Sequence, residues 1–186
     1  MAEIVLVTGG CRSGKSGYAQ RLAEVQPPAR LFIATCPVTD DELRERIAAH
    51  QRARQDRGWE TVEEQVDLGG VLQRHAGCNV VLVDCVTLWV NNVVYWAGQE
   101  RRAIGEAEMT ARCDQLLAAA RAHPGIVIFV TNEVGMGIVP DNASARRFRD
   151  LAGRVNQTIA AAADQVTMLV SGIPWLLKDR QGEPAR

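Results

Sequence analysis

Residues Ile4-Val5-Leu6-Val7-Thr8 run directly into Gly9-Gly10-Cys11-Arg12-Ser13-Gly14-Lys15-Ser16. The second part has the form G-x-x-x-x-G-K-[ST], and it stands where that pattern has meaning, between an apolar strand and a helix. Gly9 and Gly14 permit backbone angles that a Cβ would forbid. The N–H groups of the loop then converge on one concave anion site, reinforced by the positive end of the helix that follows. Lys15 would reach the β- and γ-phosphates of a bound nucleotide, and Ser16 would ligate Mg²⁺. Of the 21 Lys and Arg residues only Lys15 and Lys178 are lysines, so no nearby lysine can stand in for Lys15.

Outward from this loop, short apolar runs alternate with helical stretches. Glu3–Thr8, Leu31–Thr35, Asn79–Asp84, Ile126–Thr131 and Gln165–Ser171 read as strands. They are rich in Val and Ile without polar alternation, as parallel strands buried on both faces should be. Lys15–Val25, Asp40–Arg57, Cys85–Ala97, Ala103–His123 and Asn142–Ala163 read as helices. The expected fold class is α/β: a single-domain P-loop NTPase fold, mainly parallel sheet flanked by helices, joined by right-handed crossovers. The domain should span residues 1–178, with 179–186 a polar, frayed tail.

The run Val80-Val81-Leu82-Val83 ends in Asp84. An acid at the tip of an apolar strand, downstream of a phosphate loop, is a candidate Mg²⁺ holder beside Ser16. The competing reading is a cap for the helix starting at Cys85. These features point to nucleotide binding and phosphoryl chemistry and leave the acceptor open; ATPase, GTPase switch, small-molecule kinase and nucleotidyltransferase all fit. A net charge of −1 over 186 residues gives no reason to expect a nucleic-acid surface. No apolar run approaches a membrane span of ~20 residues, and the start lacks a signal pattern. Five cysteines without a CxxC or Cys/His metal spacing read as reduced thiols of a cytoplasmic protein.

Thr39-Asp40-Asp41-Glu42 has the form of a capping box. The helix it opens would carry Leu43, Ile47, His50 and Arg54 on one side, with Arg46 and Arg54 a turn before and after His50. Neighbouring cations favour a neutral imidazole, which has a lone pair able to attack phosphorus. On residue physics alone a solvated helix histidine with neighbouring surface charges is the better reading. His75 and His123 lack such a setting and read as surface residues.

Taken together, these segments resemble the bifunctional adenosylcobinamide kinase / adenosylcobinamide-phosphate guanylyltransferase family of cobalamin biosynthesis. The match runs through Thr8 to Ser16, Arg46-Ile47-Ala48-Ala49-His50, Trp59-Glu60-Thr61-Val62-Glu63 and Asp84 to Asn92. It continues through Gly153-Arg154-Val155-Asn156-Gln157 and Val170-Ser171-Gly172-Ile173-Pro174. Its most specific part is Thr131-Asn132-Glu133-Val134-Gly135-Met136-Gly137-Ile138-Val139-Pro140.

The resemblance implies two reactions. ATP or GTP phosphorylates adenosylcobinamide, and GTP then guanylylates the product, giving adenosylcobinamide-GDP and pyrophosphate. It makes His50 the nucleophile that carries GMP, which overrides the solvated-histidine reading. It gives nucleotide contacts to Gly9, Gly10, Cys11, Arg12, Ser13, Gly14, Lys15 and Ser16, and to Ala34, Thr35 and Cys36 at the end of the second strand. Gln51, Arg52, Ala53, Arg54, Glu63 and Asp84 join them. It also implies a homotrimer. A plain P-loop kinase without guanylyl transfer is the alternative.

Three segments receive no role from the motifs. Thr131-Asn132-Glu133 lies at a strand end where ligands gather in open α/β sheets, as a substrate or lid element or as a structural turn. Arg146, Arg147, Arg149 and Arg154 form either a face laced with salt bridges or a clamp for substrate groups. Trp89 and Trp96 read as core or interface.

Overall fold

The computed structural model describes residues 2–37, 45, 48, 52 and 54–179. Most of the expected helix from Asp40 to Arg57, with its capping box and with His50, Gln51 and Ala53, lies outside these residues, as do residues 180–186.

Seven strands form one sheet: β1 (Ile4–Gly9), β2 (Arg30–Ala34), β3 (Trp59–Glu63), β4 (Val80–Asp84), β5 (Ile126–Val130), β6 (Gln165–Val170) and β7 (Ile173–Lys178). Their order is β3-β2-β4-β5-β1-β6-β7. All neighbours pair in parallel except β6 and β7, which form an antiparallel hairpin at one edge. The labelled helices among the described residues are α1 (Lys15–Glu24), α2 (Leu68–Arg74), α3 (Val86–Gln99), α4 (Glu106–Ala122) and α5 (Ala143–Ala162), with a 3₁₀ turn at Val134–Met136.

The absence of polar alternation in the strands follows from helices on both sheet faces. Ile4 and Leu6 enter a core cluster with residues of α2 to α5. Val5 and Val7 enter a second cluster with Ala19 and Ala23 of α1. Successive side chains point to opposite faces, so both sets must be apolar. Phe129, fully buried near the end of β5, belongs to the larger cluster; truncating such a side chain typically costs about 3–5 kcal/mol.

Three elements were not among those expected. β3 holds only one aliphatic residue, Val62, between Thr61 and Glu63, and it sits at the sheet edge where polar residues are tolerated. β7 contains Pro174, which sequence reading counts against a strand but which an edge position accepts. α2 contains Gly69 and Gly70, yet Asp67 caps it by accepting the Gly70 N–H at 2.9 Å. The histidine reading also needs correction. His123 is 3% exposed: its Nδ1 accepts the Gly125 N–H at 3.0 Å and its Nε2 contacts the His75 carbonyl at 3.2 Å. His75 is half-buried, with Nδ1 2.9 Å from the Val71 carbonyl and Nε2 3.4 Å from Glu60. Both act as bridges between segments, a tertiary role with no local signature.

The strand order has one consequence for the site. β5 is inserted between β1 and β4, and Val130 is level with Val7 on one side and with Asp84 on the other. The phosphate loop and the acid-tipped strand therefore flank whatever the chain places just after Val130.

Candidate active site

Gly9 ends β1 at φ 144°, and a Cβ there would lie 2.5 Å from the Leu169 carbonyl oxygen and 2.9 Å from Ser13 Oγ. Glycine is thus required twice, by angle and by space. Gly14 caps α1 at φ 93°, in the left-handed region. The loop between them is braced from the β6–β7 turn, where the Gly172 N–H donates to the Ser13 carbonyl at 3.0 Å. Ser13 Oγ is buried with no hydrogen-bond partner among the described residues, and Lys15 is 7% exposed. Its Nζ donates to the Gly10 carbonyl at 2.5 Å. Burial lowers the Lys15 pKa, and the charge of Asp84 pulls it partly back. The side chain is therefore a desolvated cation short of partners, the state in which an anion gains most by arriving.

A cleft of about 500 Å³ opens above the loop. Cys11, Arg12, Gly14, Lys15 and Ser16 line it from the loop, Ala34 and Cys36 from the end of β2, Arg54 from the segment before β3, and Asp84 from β4. Expected site residues from four separate stretches thus meet in one place. Asp84 does not hold the N-cap position of α3: that position belongs to Cys85, whose own side chain makes no capping bond. Burial pushes the Cys85 thiol up to about 12, with Asp84 adding to the effect, so it stays protonated and unreactive at neutral pH.

Thr35, also expected at the site, is fully buried. Its Oγ1 donates to the Cys85 carbonyl at 2.8 Å and accepts the Cys85 N–H at 2.7 Å, so its side chain ties β2 to β4. Glu63 ends β3 level with Ala34 and is exposed outside the cleft lining. Arg52 lines a smaller adjoining hollow of about 370 Å³ with Arg54, Gln55 and Trp59.

Sequence reading did not foresee the wall formed by Phe32, Thr61, Leu88 and Val130. The Arg54 guanidinium stacks 3.6 Å from the centroid of the Phe32 ring. Arg54 is 4% exposed, and its Nε has no hydrogen-bond partner among the described residues. Burial lowers its pKa, opposed by the charge of Asp84. Nothing in the isolated segment Arg52-Ala53-Arg54 shows which arginine turns inward.

Of the segments without a motif role, Asn132 reaches the cleft, whereas Met136, Ile138 and Val139 stand on the surface. The arginines of α5 are mostly engaged. Arg146 donates to the carbonyls of Pro140 and Asp141, Arg149 to that of Gly135, and Arg147 to that of Ile104. Arg154 pairs with Glu106 at 2.8 Å. They tie the 135–141 loop and the start of α4 to the helix, three of them through backbone carbonyls and Arg154 through an ion pair, rather than as a face laced throughout with salt bridges. Trp89 is core, with its Nε1 donating to the Val66 carbonyl at 2.9 Å, while Trp96 is half exposed against Tyr95.

A strand–loop–helix phosphate cradle, an acid on a strand two places away and an inserted strand between them define a P-loop nucleotide-binding protein of the α/β class. The fold is shared with an ATPase from the type III secretion system of pathogenic bacteria, at TM-score 0.56 and 11% identity over 90% of this chain. The match spans about half (51%) of that ATPase chain. The family model for cobinamide kinase / cobinamide phosphate guanyltransferase matches residues 5–177, and the chain belongs to that family. It is 44% identical over 185 residues to the bifunctional adenosylcobalamin biosynthesis protein CobU of Escherichia coli, covering 94% of this chain and 99% of the relative. The proteins of the same description from Salmonella typhimurium (CobU, 43%, covering 94% and 99%) and Pseudomonas aeruginosa (CobP, 41%, covering 96% and 98%) are similarly close.

Proposed function

We propose that this chain performs both reactions of its family in cobalamin biosynthesis, at a nucleotide site built on the phosphate cradle. ATP or GTP phosphorylates the terminal hydroxyl of adenosylcobinamide. GMP from GTP is then transferred to that phosphate, giving adenosylcobinamide-GDP and pyrophosphate. The observation that carries this reading is the convergence of Lys15, Ser16, Arg54 and Asp84 on one cleft, in a chain whose relatives match 94% of its length.

In this reading the loop N–H groups and Lys15 grip the β- and γ-phosphates, and Arg54 meets the nucleotide from the opposite wall. Ser16 and Asp84 supply two hard oxygen donors on the same cleft, a set that suits Mg²⁺, which takes its remaining positions from phosphate oxygens and water. Among the described residues no cluster of three or more His, Cys, Asp or Glu side chains is placed to bind a metal on its own. The bound ion would supply charge neutralisation between the phosphates.

His50 is the proposed nucleophile of the second reaction. A ring nitrogen lone pair forms a bond to the α-phosphorus as the P–O bond to the β-phosphate breaks and pyrophosphate leaves. The phosphate oxygen of the acceptor then attacks the same phosphorus and the P–N bond breaks. Splitting one displacement into two is the general advantage of a covalent intermediate. Intact-protein mass measurement after exposure to GTP and Mg²⁺ tests this: one added GMP is expected, absent in His50→Ala. A folded, nucleotide-binding protein that never gains that mass would leave the plain kinase.

We also propose a homotrimeric, cytoplasmic enzyme. Edge strand β7 exposes Ile173 and Trp175 at 70% and 62%, an apolar, unpaired edge of the kind subunit contacts cover. Five cysteines without a CxxC pair suit a reducing compartment, and no helix of the described residues is long and apolar enough to cross a membrane. Light scattering that returned the 20.3 kDa chain mass would contradict the trimer.

A further inference from the structure

Thr131-Asn132-Glu133 follows β5 directly, and backbone bonds continue the strand pairing beyond Val130. The Thr131 N–H donates to the Val7 carbonyl at 3.0 Å and the Glu133 N–H to the Gly9 carbonyl at 3.2 Å. Asn132 is thereby held level with the start of the phosphate loop on one side and just past Asp84 on the other. It lines the same cleft as Lys15, Ser16 and Asp84.

A closed ring of buried groups fixes this position. The Asn132 N–H donates to Thr87 Oγ1 at 2.7 Å. Thr87 and Thr131 hydroxyls are 3.1 Å apart, Thr131 Oγ1 donates to Asn156 Oδ1 at 2.7 Å, and Asn156 Nδ2 returns to the Asn132 carbonyl at 3.2 Å. Thr87, Thr131 and Asn156 are 7%, 1% and 8% exposed. Because the Thr131 proton goes to Asn156, the Thr87 proton goes to Thr131, and Thr87 Oγ1 is left only to accept. That turns Asn132 Nδ2 toward Thr87. Its contacts there are long, 3.4 Å to Thr87 Oγ1 and 3.9 Å to Cys85 Sγ, so Nδ2 is weakly held and a phosphate oxygen in the cleft can take over one of its two hydrogens.

We propose that Asn132 is the side chain that donates to the γ-phosphoryl group during the kinase reaction, and that Thr87 and Asn156 are its positioning residues. This rests on the proposed kinase function of the site. In that step the acceptor hydroxyl oxygen bonds to the γ-phosphorus, the bridging P–O bond to the β-phosphate breaks and the nucleoside diphosphate leaves. The hydroxyl proton passes to solvent. Negative charge spreads over the γ-oxygens as this happens, and a fixed neutral donor between the lysine and the metal-holding acid stabilises it without the desolvation cost of another cation.

The test is parallel kinetics on wild type, Asn132→Ala, Asn132→Asp and Thr87→Val, with circular dichroism as a folding control. Asn132→Ala should lower kinase kcat by roughly 10²-fold while the nucleotide KM and the rate of GMP attachment from saturating GTP stay within about threefold, since α-phosphorus chemistry lies two phosphates away. Asn132→Asp should lose at least as much kcat, a carboxylate repelling the phosphate, and Thr87→Val should lower kcat with Thr87→Ser restoring it. Kinase activity near wild type in Asn132→Ala, or in Asn132→Asp, overturns the proposal. Equal loss of both reactions in a folded Asn132→Ala protein also overturns it, by assigning the residue to general scaffolding. Wild-type protein lacking kinase activity would instead remove the underlying function.

Discussion

The chain's two lysines show how differently a cation is treated inside the cleft and away from it. Lys178, at the end of β7, donates to the carbonyls of Ala160, Ala161 and Ala163 at 3.3, 3.0 and 2.6 Å. It closes the last turn of α5, where a positive charge also meets the negative end of the helix. Arg30, at the start of β2, is treated alike: its guanidinium donates to the carbonyls of Ala23, Glu24, Gln26 and Arg57. Lys15 and Arg54, which line the cleft, are as deeply buried as Arg30. Yet Lys15 has one carbonyl, and the Nε of Arg54 has no partner among the described residues. Saturated cations hold elements together; under-coordinated ones mark where a ligand's oxygens complete the set.

Breaking the cleft side of this comparison should give the largest effect. Lys15→Met should lower kinase kcat/KM by roughly 10²–10³-fold while the melting temperature of the nucleotide-free protein stays within about 3 °C. Burial already disfavours this ammonium, so the folded state loses little with it. A matching collapse in stability would make Lys15 structural, like Lys178. Asp84→Asn should follow, with Mg²⁺-dependent activity down by about 10–100-fold; a metal titration unchanged from wild type would show that the carboxylate serves only to offset Lys15 and Arg54.

The saturated side should respond in stability alone. Arg30→Met removes the donor shared by four carbonyls near the α1 end and the β3 turn, of which that of Ala23 keeps the Val25 and Gln26 N–H groups, and about 2–3 kcal/mol of unfolding free energy should be lost in a denaturant titration. Activity per folded molecule should not change. Loss of activity at full stability would show that β2 transmits to the site in a way its hydrogen bonds do not suggest.

Much of this arrangement could be read from the residues. The phosphate loop and the five strands around it announce themselves because each is a local pattern: glycine at fixed offsets, or Val and Ile in a run buried on both faces. Their ends fell within one or two residues of those expected, as with Ile126–Val130 and Ala143–Ala162. What escaped is what depends on a distant partner. β3 is a strand because β2 offers an edge, and Pro174 is tolerated because β7 has no neighbour beyond it. Arg54 turns inward to Phe32, twenty-two positions away, and Asn132 joins the cleft because β5 is inserted between β1 and β4. None of these has a signature within its own ten residues.

The smallest expected effect sharpens the comparison through pH. Asp164 sits at the same edge as Lys178, accepting from Arg121 Nη1 at 2.6 Å and from the Ile4 N–H at 2.7 Å. Burial raises its pKa, but the Arg121 and Ile4 bonds and the charges of Arg121 and Lys178 outweigh that, and the net shift is below the ordinary carboxylate value. A depressed folded-state pKa means that the unfolded chain takes up the proton first. The stabilisation is complete above the unfolded value of about 3.9 and fades as pH falls through the folded one. Asp164→Asn should therefore narrow its stability deficit relative to wild type as pH is lowered from 6 toward about 3, where wild type loses the same charge. Lys15 gives no matching acid response, because its ammonium is already protonated across that range. An Asp164→Asn deficit that stays constant down to the acid limit would show that the carboxylate acts through its shape and hydrogen bonds, and that the charge of this edge is incidental to the way it holds β1 to the end of α5.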